Sequence, residues 1–363
     1  MACEAGGRRP ARSHSLSSRL PNRKVSKIAG GFDVHRTQIT FDYLDIDSGE
    51  SRRGVIRPAT RESFRHWLAD LEGTKGAFVP EATTGWRFVV EELRGAGFEP
   101  HLAEPAEARA RKGPKRRAKT DRADARHLRD LLISEAVPES WIPPDHIADL
   151  RTKVRLRKAL VGQRTAWQER IHAQLFHHGL PPVAALLTVE GRARLEAAPL
   201  PPCARSVVNI ARMIDSIDEE VDVLDAELIG FARHQAGCRA LMSHYGIGAL
   251  TSVVILAELG DTRRFSSSRQ AVRFAGLDVT VSESNGKRSR GKLSRQGPPA
   301  LRWALYEAAK SAYRPQSPDH QYYLAVKERK GAQRACLSVA RQLARRSHHT
   351  LAALGDEAFA LPG

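Results

Sequence analysis

The hydrophobic pattern between residues 27 and 135 switches repeatedly between strand and helix periodicity, and this alternation constrains the fold more than any other feature of the chain. Runs rich in β-branched and aromatic residues predict strands at 27–34, 37–46, 54–58, 76–83 and 98–105. Apolar residues spaced three and four apart predict helices after Thr60 and around Trp86, and a third helix is expected over 121–132 with Thr120 as its N-cap. The resulting order, βββαβαβα, is that of an α/β ribonuclease-H-like domain.

The rest of the sequence predicts helices. Two long helices are expected at 147–178 and 203–233. In the second, apolar residues step alternately by four and three, as in the a/d seam of a coiled coil: Ile210, Ile214, Ile217, Val221, Leu224, Leu228 and Phe231. This seam could pair the two helices within one chain or join two subunits, and the second arrangement would make the protein an oligomer.

From residue 239 the pattern is mostly helical, and it is interrupted by a β-like stretch at 278–281 and a Gly- and Arg-rich loop at 282–297. A helix is expected from Leu301 to Ala312, and an Arg-rich helix at about 332–350. The predicted organisation is a disordered basic extension at 1–26, the α/β domain at 27–140, a helical coiled-coil region at 147–235 and a mostly α-helical C-terminal domain at 239–357.

Charge indicates the class of partner. The 363 residues include 58 Lys and Arg against 41 Asp and Glu, a formal net charge of +17. Such an excess favours a polyanion, most often nucleic acid, over a small acidic substrate. Four widely spaced cysteines suggest neither a disulfide framework nor a zinc site, and they fit a reducing cytoplasm. No apolar run approaches the length of a membrane span, and the basic start lacks the apolar stretch of a signal peptide.

Four carboxylates are expected to meet in the α/β domain. Asp33 lies in the first strand, Glu81 at the end of the fourth, and Asp121 and Asp124 at the start of the last helix. Oxygen ligands without cysteine suit Mg²⁺ or Mn²⁺, and such ions can polarise a phosphodiester. Taken singly, Asp33 is hard to explain structurally, because a lone carboxylate buried on an apolar strand is costly. Glu81 could instead cap a helix, and Asp121 and Asp124 could be ordinary helix N-terminal acids. His35 and His127 lie close in sequence to these carboxylates and could join the site, but both are expected to be solvated surface histidines.

Three segments are candidates for nucleic-acid contact. The first, 109–122, is strongly basic and contains Arg109, Arg111, Lys112, Lys115, Arg116, Arg117, Lys119 and Arg122, and its alternative is a solvated charged loop. The second is the Tyr245–Gly248 turn, where Gly246 and Gly248 could let backbone amides approach a phosphate, as in a helix-hairpin-helix, or simply form an α-hairpin turn. The third is the 282–297 loop, which carries Lys287, Arg288, Arg290, Lys292 and Arg295.

Several of these motifs together resemble one protein family. They are FDVH (32–35), EATTGW (81–86), KTDRADARHLRDLL (119–132), YGIGALT (245–251) with ILAELGD (255–261), and GKRSRGKLSRQGPPALRWALYEAAK (286–310). The chain resembles, from about 28 to 357, the DEDD-type transposases of bacterial insertion sequences related to the Piv invertase, in the insertion-sequence family numbered one hundred and ten.

The resemblance implies a RuvC-like domain and a C-terminal serine transposase domain joined by a coiled coil. It implies that Asp33, Glu81, Asp121 and Asp124 bind Mg²⁺ or Mn²⁺ and that Ser284 is the nucleophile, although Ser282 remains a rival. It further implies a phosphoserine link to DNA, a homo-oligomer such as a dimer or tetramer, and a structured guide RNA encoded by the element.

The function expected from these observations is site-specific DNA transposition at the bacterial nucleoid, catalysed by an enzyme. The serine would have to reach a carboxylate site, and we expect that site to belong to another subunit. Two other functions stay open: a structure-selective RuvC-like endonuclease that uses metal-activated water, and an inactive nucleic-acid-binding relative.

Overall fold

The computed structural model describes residues 28–112, 120–209, 212–284 and 287–361. The predicted N-terminal extension at 1–26 lies outside this part of the chain. The chain divides into two compact units, Met1–Ile142 and Pro143–Gly363. The regions predicted at 147–235 and 239–357 therefore lie in the same unit.

The N-terminal unit is built on one five-stranded sheet. Its strands are β1 (Ile28–Val34), β2 (Ile39–Asp45), β3 (Ser51–Ile56), β4 (Gly76–Pro80) and β5 (Glu99–Pro100). Its helices are α1 (Arg61–Ala69), α2 (Trp86–Gly95), α3 (Pro105–Ala110) and α4 (Asp121–Ile133). The spatial order is β3-β2-β1-β4-β5, antiparallel from β3 to β1 and parallel from β1 to β5. This mixed sheet is consistent with the predicted ribonuclease-H-like fold.

The two faces of the sheet are covered by different helices. On one face, an aromatic cluster joins the strands to α1: the Phe32 ring lies 5.0 Å from that of Phe78 and 5.3 Å from that of Phe64. On the other, Val79 packs with Leu128 and Leu131 of α4. Adjacent residues of a strand point to opposite faces, so Phe78 and Val79 serve one core each.

Helix α4 lies very close to β1, and Gly31 makes this possible. A Cβ atom at this position would lie 2.2 Å from the carbonyl oxygen of Ala125 and 2.6 Å from the amide nitrogen of Arg129. Arg129 also forms a buried ion pair with Asp42 of β2. The absence of a side chain at Gly31 and the ion pair between Arg129 and Asp42 thus fix α4 against the centre of the sheet.

The C-terminal unit is mostly helical. Its helices are α5 (Asp145–His177), α6 (Val189–Ala197), α7 (Pro202–Asn209), α8 (Arg212–His234), α9 (Ala236–Met242), α10 (Ala249–Leu259), α11 (Ser268–Phe274), α12 (Pro299–Lys310), α13 (His320–Lys330) and α14 (Ala332–Leu354). Strands β6 (Val279–Ser284) and β7 (Lys287–Leu293) form an antiparallel pair. Helix α10 is central: every residue from Ser252 to Leu259 is buried, and α5, α8 and α12 contact it.

The predicted apolar seam is buried within a single chain. Helices α5 and α8 run antiparallel, since ion pairs join Lys153 to Glu227 and Arg164 to Asp218. The seam residues Ile214, Ile217, Val221, Leu224 and Leu228 are buried, whereas Ile210 lies outside the described residues. Helix α8 packs on α10 as well as on α5. The seam therefore has partners inside its own chain. This favours the pairing of the two helices within one chain over a contact of the seam between subunits.

Other departures from the sequence predictions have simple causes. The predicted loop at 282–297 is largely the strand pair, in which Ser284 is paired with Lys287. The sequence contains an Asn-Gly dipeptide at 285–286, a hairpin signal that the prediction did not weigh. The strand predicted at 98–105 shortens to two residues, followed by isolated bridges that join Ala103 to Glu81 and to Glu139. Helices α3, α6 and α13 were not predicted. No helix among the described residues is long and apolar enough to cross a membrane.

Candidate metal centre and nucleic-acid interface

Three elements bring the predicted carboxylates to one edge of the sheet. Asp33 is the penultimate residue of β1, and Glu81 directly follows β4, which is parallel to β1. Asp121 and Asp124 occupy the first turn of α4. The Oγ1 of Thr120 accepts a hydrogen bond from the amide of Ala123 at 3.2 Å, which caps the helix as predicted. Parallel strands end at the same edge, and this explains the convergence.

The tightest group of metal-ligand atoms contains a histidine. The Nε2 of His35 lies 3.2 Å from Oδ2 of Asp33 and 3.6 Å from Oδ1 of Asp121. The ligand atoms of these three residues all lie within 4.8 Å of one another. His35 is half-exposed, as expected of a surface histidine, and it also belongs to the cluster, the alternative that the sequence left open. Its position two residues after Asp33, which puts both on the same side of an extended chain, is the signal that supports this alternative.

The second histidine considered in the sequence lies elsewhere. The Nε2 of His127 is 2.9 Å from the carbonyl oxygen of Ala108 and so ties α4 to α3. This contact gives His127 a structural role.

Asp121 is held by a short chain of hydrogen bonds that the sequence did not suggest. The Nε2 of Gln38 donates to Oδ2 of Asp121 at 3.0 Å, and the Oε1 of Gln38 accepts from Nε of Arg57 at 3.0 Å. Gln38 immediately precedes β2, and Arg57 immediately follows β3. The carboxylate of Asp121 is therefore oriented from neighbouring strands of the sheet.

Glu81 and Asp124 lie near this group but outside its tightest part. Burial raises the pKa of Asp33, and the charges of Asp121 and Asp124 raise it further, while His35 opposes them. Burial likewise raises the pKa of Glu81, with further contributions from Asp33 and Asp124. Crowded carboxylates in a desolvated site favour a proton or a cation. The acidic group is thus chemically suited to a divalent metal ion.

The basic segment begins with side chains that already have protein partners. The guanidinium of Arg111 donates to the carbonyl oxygen of Ala136, and the ammonium of Lys112 forms an ion pair with Asp124. Lys112 therefore offsets charge at the carboxylates. Arg109 and Arg122 are exposed, whereas Lys115, Arg116, Arg117 and Lys119 lie outside the described residues.

Packing requires a glycine at 246, and Gly248 lies at the N-terminus of α10. Gly246 has φ +90°, and a Cβ there would lie 2.2 Å from Oγ of Ser311. The amide of Gly248 donates to Oγ1 of Thr251 at 2.9 Å and caps α10. Contact of this turn with nucleic acid stays a prediction.

The predicted serine and its basic neighbours lie on the strand pair. Ser284 is the last residue of β6, and Ser282 is paired with Ser289 of β7. Lys287, Arg288, Arg290 and Lys292 belong to β7, and Arg295 follows it as an exposed residue with φ +52°. Five basic positions therefore fall within or just after one short strand.

The sheet order and the position of the acidic site define a class of protein. Carboxylates at the first strand, the fourth strand and the last helix of such a sheet are typical of ribonuclease-H-like enzymes that act on nucleic acids. A family model of DEDD-type transposases of the IS110 group matches residues 31–178, and a second, described as the transposase IS116/IS110/IS902 family, matches 238–324. The chain belongs to the IS110 family of insertion-sequence transposases.

Curated relatives agree with this assignment. The transposase for insertion sequence element IS1111A of Coxiella burnetii is 26% identical over 339 residues, which cover 91% of each chain. A probable family 20 transposase of Pseudomonas aeruginosa is 24% identical over 72% of this chain and 77% of its own. A putative transposase of Sinorhizobium fredii, y4rJ, is 28% identical over 64% of each chain.

Proposed function

We propose that this protein is the site-specific recombinase of its insertion sequence and that it cleaves and rejoins DNA by phosphoryl transfer. The observation that carries the proposal is the convergence of Asp33, Asp121 and His35 beside Glu81 and Asp124 at one edge of the sheet. Crowded carboxylates, among which burial raises the pKa of Asp33 and Glu81, are costly to maintain unless they bind a cation. Its position in a basic protein of the IS110 family points to a DNA phosphodiester as the substrate.

The donor atoms fit a divalent ion. Oxygen ligands from Asp33, Glu81, Asp121 and Asp124 suit Mg²⁺ or Mn²⁺. Bound there, the ion would polarise the phosphodiester and offset charge on its oxygens. The chain itself would hold Asp121 in place through Gln38 and would exchange the ion pair between Lys112 and Asp124 for a contact with metal or phosphate.

The proposed nucleophile is Ser284, with Ser282 as the alternative. Its hydroxyl oxygen would form a bond to phosphorus while the bond from phosphorus to one deoxyribose oxygen breaks. The serine proton leaves, and the displaced oxygen takes up a proton, so the products are a phosphoserine and a free DNA hydroxyl. Attack by a second DNA hydroxyl reverses the step and releases the serine. Lys287, Arg288, Arg290, Lys292 and Arg295 would offset the charge of the transition state.

Partners follow from the same chemistry. We propose that the segment containing Arg116 and Arg117 tracks the nucleic-acid backbone, and that a structured guide RNA selects the DNA sites. The working assembly is proposed to be a dimer or tetramer in the bacterial cytoplasm at the nucleoid, with helices α5 and α8 paired as a coiled coil within each chain. These proposals rest on the net charge of +17 and on membership of the family.

A covalent-adduct experiment tests the function. Full-length protein is incubated with Mg²⁺ and labelled DNA that carries the element junction, with the element's own RNA present, and is then denatured. We expect a labelled protein band that is absent in Ser284→Ala and present in Ser282→Ala. An adduct that persists in Ser284→Ala would contradict this assignment. Cleavage without any adduct would favour an endonuclease that uses water.

The carboxylate site is tested in the same assay. Asp121→Asn should abolish cleavage, because the variant loses a charged oxygen ligand while it keeps its shape. Asp130→Asn is the matched control, since Asp130 lies on the same helix and pairs with Arg129 away from the cluster. Full activity of Asp121→Asn, or of the wild type in excess EDTA, would contradict a metal-dependent reaction.

A further inference from the structure

We propose that His35 is a direct metal ligand through Nε2, and that this nitrogen makes the site select Mn²⁺ and similar transition ions over Mg²⁺. The inference rests on the proposed function, because it adds a ligand to the same carboxylate site. It also changes the chemistry of that site from all-oxygen to mixed oxygen and nitrogen.

The spacing of the three ligand atoms is the first argument. Ligands about 2.1 Å from an octahedral ion lie roughly 3 Å apart when adjacent and roughly 4.2 Å apart when opposite. His35 Nε2 is 3.2 Å from the Asp33 oxygen and 3.6 Å from the Asp121 oxygen. These distances are close to those between adjacent ligands on one ion. A cation between the three atoms therefore needs only small side-chain shifts.

The hydrogen bonding of Asp121 is the second argument. Its Oδ2 accepts from Gln38, which is itself held by Arg57. This leaves Oδ1, the oxygen that faces His35, in a fixed position for an ion. Outer partners that orient a carboxylate in this way are typical of built metal sites.

The position of His35 in the chain is the third argument. Val34, the residue after Asp33, ends β1 and pairs with Ile39, and the amide of His35 donates to the carbonyl oxygen of Gln38 at 2.9 Å. This turn brings His35 and Gln38, two residues that contact Asp121, to the same point. One short segment thus supplies both a nitrogen ligand and the group that orients the neighbouring oxygen ligand.

The ligand set indicates the class of ion. Mg²⁺ strongly prefers oxygen ligands, whereas imidazole suits later divalent metals. Two carboxylate oxygens and one imidazole nitrogen would favour Mn²⁺ over Mg²⁺. The alternative is a purely structural His35 whose Nε2–H donates to Asp33, with a bound ion contacting oxygens alone.

The test uses Mn²⁺ and the full-length protein. Electron spin-echo envelope modulation spectroscopy of the Mn²⁺-loaded wild type should show coupling between Mn²⁺ and an imidazole nitrogen. The coupling should disappear in His35→Gln and persist in His127→Gln, the control whose ring contacts Ala108. By calorimetry, His35→Gln should lose at least about tenfold in Mn²⁺ affinity, since even outer-shell changes cost 10–100-fold. Mg²⁺ affinity should change less.

The outcomes distinguish a failure of the proposed role of His35 from a failure of the proposed function. Mn²⁺ that binds the wild type without nitrogen coupling, or nitrogen coupling that persists in His35→Gln, would overturn the role of His35 and leave the carboxylate site intact. Equal losses of Mn²⁺ and Mg²⁺ affinity in His35→Gln would overturn the selectivity. If Mn²⁺ binding were unchanged in Asp33→Asn, the ion would lie elsewhere, and the proposed function itself would fail.

Discussion

Asp33 shows how one residue can be unfavourable for folding and yet suited to a site. Its carboxylate lies in a strand of the central sheet, where burial and two neighbouring aspartates raise its pKa. A buried lone carboxylate on an apolar strand was hard to explain from the sequence alone, and this made Asp33 the most informative of the four. Glu81, Asp121 and Asp124 each had an ordinary local explanation, so their importance depended on the fold bringing them together.

Removing the charge of Asp33 should stabilise the metal-free protein. Since the folded-state pKa of Asp33 is raised, protonation of its carboxyl stabilises the folded protein below the unfolded-state pKa. This contribution to the free energy of unfolding is lost as the pH rises through the folded-state pKa. The gain in unfolding free energy for Asp33→Asn should therefore be smallest below the unfolded pKa of about 3.9 and should grow as the pH rises above it. Urea denaturation in EDTA across this range measures the difference.

A divalent metal ion should make the wild type more stable than Asp33→Asn. At a free concentration of ten times its dissociation constant, an ion that binds only the folded wild type adds about 1.4 kcal/mol to the free energy of unfolding. Asp33→Asn should show little of this gain. An Asp33→Asn variant that is less stable than the wild type in EDTA at neutral pH would contradict the burial argument.

At the scale of elements, the placement of α4 depends on a close contact with β1. The sequence predicted both elements and the cap at Thr120, because periodicity and capping residues are local signals. It did not predict how near the two lie, since this distance depends on a residue without a side chain, Gly31, and on a buried ion pair between Asp42 and Arg129. The hydrogen-bond chain from Arg57 to Asp121 was invisible for the same reason: it joins three separate segments.

Gly31→Ala should weaken metal binding without touching a ligand. The added methyl group would meet the backbone of Ala125 and Arg129, so α4 must move away from β1 and carry Asp121 and Asp124 with it. Such overpacking costs about 1–3 kcal/mol of stability. Mn²⁺ calorimetry and thermal unfolding measure both effects.

Gly95→Ala is the matched control. Gly95 ends α2, and a Cβ there has no heavy atom within 4 Å. Its metal affinity should equal that of the wild type. If Gly31→Ala bound metal as tightly as Gly95→Ala, the close approach of α4 would have no role in the site.

For the whole molecule, the sequence predicted the class of structure better than its assembly. The change from a mixed sheet to helices was correct, and so was the α/β order apart from the additional helix α3. The a/d spacing of α8 was also real, but periodicity cannot say which surface a stripe contacts. The structure packs it against α5 and α10 of the same chain. Likewise, net charge indicates a polyanion but not which lysines and arginines bind it, and Lys112 pairs with Asp124.

Nucleic-acid affinity should depend strongly on salt, and Arg116 and Arg117 should account for part of that dependence. Each lost phosphate contact lowers the slope of log K against log salt by roughly 0.7–0.9. Fluorescence anisotropy with the double variant Arg116→Ala/Arg117→Ala should therefore show a shallower slope than the wild type. Arg52→Ala/Arg53→Ala, two exposed arginines on β3, is the control of equal charge. An equal decrease in both variants would assign the effect to net charge alone.

The burial of α10 has a consequence for the dynamics of the helical unit. Eight consecutive residues, Ser252 to Leu259, have no exposed face, and the neighbouring helices cover them from several sides. A surface helix can fray and exchange its amide protons with solvent one turn at a time. Helix α10 has no such route, because its amides reach water only when the surrounding helices separate. Its slowest proton exchange would therefore measure the opening of the entire helical unit.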